Sequence, residues 1–205
     1  MSAVSMALSV IVPVYNEGGS LWGLADGLAP FLDEVVGEGE WEFVLINNGS
    51  NDDSAAVIGE ISRQWPLSRN LYLEHPDYGN AIHHGLKSAR GEWAYILNVD
   101  FWDVLFLRWS WRHRKRYDLI LGSKRADPSI NKQPRYRRTL SWGLNSLLQF
   151  AFGFVGTDTH GQKFLHLPRM RAILERCKMR RGQFDTEFTL RAMRAGLCLA
   201  EVPVP

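Results

Sequence analysis

Short, mostly apolar runs separated by segments of helical length constrain the fold of this chain more than any other sequence feature. The first run, Leu8 to Val14, is rich in β-branched residues, which is typical of a strand buried on both faces. Consecutive parallel strands need crossovers about as long as a helix. The sequence therefore predicts an α/β fold with a mostly parallel, Rossmann-like sheet flanked by helices. Further strands are predicted at Glu42 to Asn47, Asn70 to Glu74, Trp93 to Val99 and Asp118 to Leu121, with helices at about Leu21 to Val36, Asp53 to Gln64 and Gly79 to Ala89.

The second half of the chain is less regular but contains no internal repeat and no linker. We therefore expect one domain over residues 1–205, possibly truncated at its C-terminus. Its predicted elements are an amphipathic segment from about Tyr136 to Phe152, a strand at Gln162 to Leu167, helices at Pro168 to Cys177 and Asp185 to Ala195, and a closing strand at Leu197 to Val204.

Charge and cysteine usage exclude several classes of protein. A formal net charge of +2 is too small to indicate a nucleic-acid partner, although eleven of the 24 Lys and Arg residues lie between Val104 and Arg138. Cys177 and Cys198 have no metal-ligand spacing, so we interpret both as packed thiols in a reducing compartment. No apolar run reaches the roughly 18 residues of a membrane span, and no basic segment precedes the first strand as in a signal peptide. These features predict a cytoplasmic protein.

Polar loops follow the predicted strands, at the sheet edge where α/β proteins bind their ligands. Each loop alone has two interpretations. Tyr15 to Glu17 offers a ring for a base and a carboxylate for a ribose, or it simply leads into a helix. Asn47 to Asp53 is a ligand loop or a turn with a helix N-cap. Asp100, with Asp103, holds a divalent cation or caps a helix.

The order of these loops along the chain is more specific than any one of them. They lie within LSVIVPVYNE (residues 8–17), INNGSNDDS (46–54), YGNAIHHGLKSARGEWAYILNVD (78–100), LGSKR (121–125), RRTLSWGLNSLL (137–148), DTHGQKF (158–164) and the segment from FDTEFTLRAMRAG to AEVPV (184–204). This ordered set resembles the family 2 glycosyltransferases, especially polyprenyl-phosphate sugar synthases of the dolichol-phosphate mannose synthase type. The resemblance covers nearly the whole chain.

The resemblance implies a GT-A-like fold and inverting transfer of a sugar from a UDP- or GDP-linked donor to a polyprenyl or dolichyl phosphate. It implies Mg²⁺ or Mn²⁺ on the donor diphosphate, held at Asn98 and Asp100, with Lys124 as a cation for phosphate. Asp100, Lys124 and Asp158 are the implied catalytic residues, and Arg137 and Ser141 are implied to bind the acceptor phosphate. The residues implied to bind the nucleotide are Pro13, Tyr15, Glu17, Asn48, Asp52, Gly79 and Asn80.

The chain departs from the family pattern at several positions. Asn47, Asn48 and Asn98 stand where the family usually has Asp, and Lys124 replaces a common Arg. Two alternatives therefore remain: transfer to a saccharide hydroxyl, with Asp158 or Glu187 as general base, and a non-catalytic relative that binds a nucleotide-sugar.

The basic, aromatic stretch from Arg108 to Tyr117 predicts peripheral binding to the inner face of a membrane, because Trp favours the headgroup zone and basic residues attract anionic lipid. The alternative is a solvated basic helix whose tryptophans pack in the core.

Overall fold

A single seven-stranded sheet organises the protein, of which the computed structural model describes residues 6–124, 161–179 and 182–204. The strands are Leu8–Val14 (β1), Trp41–Asn48 (β2), Arg69–Leu73 (β3), Trp93–Ile96 (β4), Leu119–Ser123 (β5), Lys163–His166 (β6) and Leu199–Pro203 (β7). The helices are Gly18–Val35 (α1), Ser54–Gln64 (α2), Tyr78–Ser88 (α3), Val104–His113 (α4), Leu167–Arg176 (α5) and Phe184–Arg194 (α6), with a 3₁₀ turn at Arg114–Arg116.

The strand order is β3-β2-β1-β4-β6-β5-β7, and β6 alone among the described strands runs against the others. β1 pairs in parallel with β2 and β4, β2 with β3, and β5 with β7. β6 lies antiparallel between β4 and β5. As a result, the carboxyl ends of six strands and the beginning of β6 lie along the same edge of the sheet, which we call the carboxyl edge.

Because side chains alternate along the strands, the buried apolar residues form two layers, one on each face of the sheet. Val10 and Val12 pack into the layer under α1, α2 and α4, whereas Ile11 points to the layer under α3, α5 and α6. Both layers are closed, and every residue of β1 and β2 is buried. This burial on both faces is the physical reason for the apolar runs in the sequence, since each fully buried Leu, Val or Ile contributes about 1.5–3 kcal/mol.

The predicted elements agree with the structure to within a few residues. The largest differences, of three residues each, are at the beginning of α1, which lies at Gly18 instead of Leu21, and at the end of β4, which lies at Ile96 instead of Val99. The chain folds back there because the Phe101 N–H donates to the Asn98 carbonyl at 3.2 Å. The amphipathic segment predicted from about residue 136 to 152 lies outside the described residues.

The opposite, amino edge of the sheet is held by a buried polar network around Glu42. Its carboxylate accepts hydrogen bonds from the Ser9 hydroxyl at 2.6 Å and from the backbone and side-chain nitrogens of Arg90, both at 2.8 Å. The Gly91 N–H donates to the Ser9 hydroxyl at 2.8 Å. The network joins β1, β2 and the residues between α3 and β4.

The two cysteines differ in their surroundings, which corrects the prediction that both are packed. Cys177 is buried after α5, and burial raises the pKa of its thiol to about 12. Cys198 is exposed because it directly precedes β7, an outer strand of the described sheet. Within the described ranges, no helix combines the length and the apolar character that crossing a bilayer requires.

Candidate functional site

The loops after β1 and β2 are interlocked by hydrogen bonds. The Asn16 N–H donates to the Ser50 hydroxyl at 3.1 Å, and that hydroxyl donates to the Val14 carbonyl at 3.3 Å. In return, the Asn51 N–H donates to the side-chain oxygen of Asn16 at 2.9 Å. Asn16 has φ of 55°, a left-handed conformation that Asn tolerates better than most residues. The two loops therefore form one unit, on which Tyr15 is 49% exposed.

Asp52 joins the beginnings of α1 and α2. Its carboxylate accepts hydrogen bonds from the Gly18 N–H at 3.2 Å and from the Ser54 N–H at 3.0 Å. The pKa of the Asp52 carboxyl lies below its ordinary value, mainly because the side chain of Ser54 hydrogen-bonds to it. The backbone N–H groups of Ser54 and Gly18 lower this pKa further. The carboxylate is therefore ionised at neutral pH, at helix ends whose dipoles favour negative charge.

Asn47 and Asn48 use their side-chain oxygens to hold neighbouring backbone. The Asn47 oxygen accepts from the Ser50 N–H at 2.9 Å, and the Asn48 oxygen accepts from the Asp77 N–H at 2.7 Å. Both side chains are buried. An aspartate would accept the same bonds but would bury a charge, so an amide suits these positions at lower desolvation cost.

The first turn of α3 carries the predicted nucleotide contacts Gly79 and Asn80. Asp77 caps this helix, because its carboxylate accepts a hydrogen bond from the Asn80 N–H at 3.1 Å. The Asn80 amide is therefore already occupied, and Gly79 is buried.

A tight turn from Asn98 to Phe101 brings three elements together at the carboxyl edge. The Tyr78 hydroxyl, from the first residue of α3, donates to the Asn98 side-chain oxygen at 3.0 Å. The Lys124 ammonium, from the residue after β5, lies 3.3 Å from the centroid of the Phe101 ring. Asp100 lies exposed on this turn. The sequence-predicted residues Asn98, Asp100 and Lys124 thus lie around one turn.

A buried ion pair lies beside this turn. The Lys163 ammonium is 3.1 Å from the Asp185 carboxylate, and neither side chain is more than 2% exposed. Burial raises the pKa of the Tyr78 hydroxyl, and the carboxylates of Asp185 and Asp100 raise it further. Tyr78 therefore stays protonated at neutral pH. Sequence reasoning missed Lys163, although a lysine beside Phe164 and Leu165 in a predicted strand was a usable signal.

A divalent cation fits this turn only in part. Asp103 accepts hydrogen bonds from the Leu105 N–H at 2.7 Å and the Phe106 N–H at 3.2 Å, as the cap of α4. The Asn98 oxygen is occupied by Tyr78, which leaves Asp100 as the exposed carboxylate of the turn. Among the described residues no group of three or more metal-ligating side chains exists. The Asp100 carboxylate is an oxygen ligand of the kind that Mg²⁺ and Mn²⁺ accept, and one such ligand accounts for only part of a coordination shell.

Glu187 lies away from the turn and is fully engaged in holding local structure. Its carboxylate accepts from the Lys178 and Met179 N–H groups at 2.9 and 2.6 Å, and from Arg191 at 2.7 Å. Burial opposes ionisation, but these hydrogen bonds and the charge of Arg191 outweigh it and lower the pKa of Glu187. This geometry does not support Glu187 as a general base. Three other predicted residues, Arg137, Ser141 and Asp158, lie outside the described part of the chain.

The tryptophans of α4 are partly buried. Trp109 stacks on His113 and Tyr117, and the guanidinium of Arg114 lies 3.9 Å from the ring centroid of Trp111. Both tryptophans pack against the layer under α1 and α2. Part of the aromatic surface predicted to bind a membrane is therefore used in packing, and membrane binding stays a prediction.

Comparison with known proteins finds a family model that matches part of the chain and relatives that align with nearly all of it. A family model described as "Glycosyl transferase family 2" matches residues 9–104. A dolichyl-phosphate beta-glucosyltransferase from Trichomonas vaginalis is 27% identical over 98% of this chain and 65% of its own length. One from Dictyostelium discoideum is 26% identical over 96% and 65%. The chain thus spans slightly less than two thirds of these relatives.

Solved structures share the fold. The glucosyl-3-phosphoglycerate synthase of Mycobacterium tuberculosis gives a TM-score of 0.68, covering 97% of this chain and 70% of its own, at 19% identity. A mannosyltransferase from Pyrobaculum calidifontis, in complex with GDP-Man and Mn²⁺, gives 0.59, covering 96% and 54%, at 18% identity. At these identities the likeness establishes a GT-A fold and nothing about substrates.

Proposed function

We propose that this protein, whose residues 9–104 match the model of glycosyl transferase family 2, transfers a sugar from a UDP- or GDP-linked donor to a dolichyl or other polyprenyl phosphate, with inversion. The observation that carries the proposal is the meeting of Tyr78, Asn98, Asp100 and Lys124 around one turn at the carboxyl edge. The relatives named above align with 98% and 96% of the chain, which supports a lipid-phosphate acceptor and a glucosyl group.

In this proposal the donor nucleotide lies along the interlocked loops. Tyr15 covers the base, Glu17 accepts from the nucleoside, and Pro13 restricts the backbone just before them, near the end of β1. Asn48, Asp52, Gly79 and Asn80 act mainly by holding the backbone that faces the nucleotide, since the Asn48 and Asp52 oxygens and the Asn80 amide are already engaged.

The diphosphate would lie over the turn that carries Asp100. Lys124 stabilises the negative charge that develops on the leaving nucleoside diphosphate. Mg²⁺ or Mn²⁺ would be held by Asp100 together with the diphosphate and would add Lewis-acid stabilisation. Arg137 and Ser141 bind the acceptor phosphate in this proposal, and Asp158 completes the catalytic set.

A phosphate acceptor needs no strong general base. Its second pKa is about 6, so it is mostly ionised at neutral pH and attacks directly. The engagement of Glu187 favours this scheme over transfer to a saccharide hydroxyl, for which a free carboxylate is required. Asp158 is then the remaining candidate base, and loss of turnover in Asp158→Asn with a saccharide acceptor would revive the hydroxyl scheme.

The test is a donor screen with purified protein, dolichyl phosphate in detergent, and UDP- and GDP-sugars with and without Mn²⁺. We expect a lipid-linked sugar to form with one donor. Asp100→Asn and Lys124→Met should each lower kcat about 100-fold or more, the usual effect of removing one group that stabilises the transition state. Matched controls are Asp26→Asn and Lys87→Met, on exposed faces of α1 and α3.

Two outcomes would contradict the proposal. Lipid product formed equally well by Asp100→Asn would remove the turn from the mechanism. Tight nucleotide-sugar binding without transfer to any acceptor would favour a non-catalytic relative, to which Asn at three Asp-type positions already points.

We further propose that the protein is cytoplasmic and peripheral on the inner face of the membrane.

A further inference from the structure

We infer that Asn98 binds the donor diphosphate as a hydrogen-bond donor, through its side-chain NH₂ group, and does not coordinate the metal ion. The inference rests on the proposed function, since it assigns the residue a role toward the nucleotide-sugar. It replaces the sequence-based prediction, in which Asn98 shares a cation with Asp100.

The first step is the position of Tyr78. As the first residue of α3, it is fixed by a helix that Asp77 caps. Its hydroxyl donates a hydrogen bond to the side-chain oxygen of Asn98 at 3.0 Å.

The second step is the orientation that this bond imposes on the amide. An Asn side chain carries one acceptor oxygen and one donor nitrogen, which lie in the same plane and point in different directions from the carbon that joins them. With the oxygen directed at Tyr78, the NH₂ group is directed away from it. Within residues 6–124, 161–179 and 182–204, the structure gives this nitrogen no hydrogen-bond partner, and the residue is only partly buried.

The third step is the charge around the NH₂ group. Asn98, Asp100 and Phe101 share one turn, and the Lys124 ammonium lies over the Phe101 ring. An anionic oxygen that reaches this turn meets Lys124 as a cation and Asn98 as a donor. Hydrogen bonds to charged acceptors are about twice as strong as neutral ones. An aspartate at position 98 would instead present a negative charge to the diphosphate, which a cation would have to neutralise.

The consequence is a difference in metal dependence. This chain should retain part of its nucleotide affinity without a divalent cation, whereas Asn98→Asp should need the cation. The probes are UDP and GDP, titrated by calorimetry into the full chain in EDTA and then in Mn²⁺. We expect Asn98→Asp to weaken binding in EDTA by at least about tenfold and to increase the gain from Mn²⁺ by a similar factor.

Tyr78→Phe provides a second, independent variant. It removes the hydroxyl that orients the amide while leaving the ring in place, so binding in EDTA should weaken about threefold to tenfold. Tyr72→Phe, on β3, and Gln64→Glu, at the end of α2, are matched controls on exposed side chains and should bind as the unaltered protein does.

The outcomes separate the two proposals. If the unaltered protein binds nucleotide only with Mn²⁺, and Asn98→Asp behaves identically, the inference is wrong while the proposed function stands. If neither nucleotide binds under any condition, although circular dichroism shows a folded chain, both are wrong. Retained binding in EDTA that Asn98→Asp abolishes supports the inference.

Discussion

At the scale of single residues, Gly49 shows how closely the loops at the carboxyl edge approach each other. Its φ is +73°, and a Cβ there would lie 2.8 Å from the Pro76 nitrogen and 2.9 Å from the His75 carbonyl carbon. The left-handed conformation alone costs an alanine about 1–2 kcal/mol. We therefore expect Gly49→Ala to lower the free energy of unfolding by at least about 2 kcal/mol in urea denaturation.

The matched control is Gly59→Ala, in the middle of α2. A Cβ at Gly59 meets nothing within 4 Å, and Ala is the better helix former by up to about 1 kcal/mol. Equal stabilities for the two variants would show that the loops separate more easily than the contacts at Gly49 indicate.

The cysteines predict a second measurable difference. Cys198 is exposed, whereas Cys177 is buried with a pKa of about 12, so Cys177 is both inaccessible and protonated near pH 8. Ellman's reagent should modify one thiol rapidly and the second only after unfolding. Cys198→Ser should remove the fast phase. Rapid reaction of both thiols in the native protein would contradict the burial of Cys177.

The sequence could predict those residues that a motif beside a strand end makes recognisable. Asn98, Asp100 and Lys124 were recognisable from motifs next to strand ends, and the structure brings them together. The functions of individual atoms were not recognisable. That the Asn98 oxygen faces Tyr78 depends on a contact between residues 20 positions apart, which no local pattern encodes.

At the scale of elements, Glu187 ties α6 to the segment that follows α5. Burial raises the pKa of its carboxyl, but three accepted hydrogen bonds and the charge of Arg191 outweigh that effect, so the pKa lies below the ordinary value of 4.5. A depressed pKa contributes stability above pH 4.5, and that contribution disappears as the pH falls through the lower, folded-state pKa. We expect Glu187→Gln to lose about 1–2 kcal/mol at pH 7.

The pH dependence tests the cause of that loss. The stability difference between the unaltered protein and Glu187→Gln should shrink below pH 4.5, as the native carboxylate becomes protonated. Glu175→Gln, at an exposed position of α5, is the control and should differ little at either pH. A difference that stays constant from pH 7 to pH 3 would mean that packing, and not ionisation, is responsible.

Element boundaries were predictable where the hydrophobic period is regular, as in α2 and α3. They failed at β4, where the turn from Asn98 to Phe101 interrupts a run that still looks apolar. The membrane-binding prediction for the basic stretch after Asp103 used its composition and not its helical period. That period buries Phe106, Leu107 and Ser110, and the tryptophans beside them are partly buried.

At the scale of the whole molecule, the exposed basic side chains at the end of α4 are what remains of the predicted membrane surface. Arg112, Lys115 and Arg116 are exposed. Each basic residue near an anionic surface contributes about 1 kcal/mol. We expect the triple exchange to Glu to weaken flotation with phosphatidylserine vesicles at low salt by at least about tenfold.

An equal change of charge elsewhere is the control for this experiment. Exchange of Arg63, Lys87 and Lys178 to Glu alters exposed positions on other elements and should reduce flotation less. Equal losses in both triple variants would mean that net charge acts without a defined surface. Absence of flotation in the unaltered protein would contradict peripheral binding by the described residues.

The overall architecture was predictable because alternating strands and helices leave few topologies. The parallel order of β1 to β4 follows from crossovers that are local in sequence. The insertion of β6 between β4 and β5 does not, since it pairs residues far apart along the chain. That insertion brings Lys163 to the carboxyl edge, and it explains why sequence reasoning missed the ion pair with Asp185.

The Glu42 network has a practical consequence for how this molecule can be handled. It lies at the amino edge of the sheet, opposite the edge at which the donor is proposed to bind. The neighbouring reversal at Gly39 has open space around it. A dye attached at the exposed Glu38, beside Gly39, would follow unfolding of the sheet and would lie far from the carboxyl edge.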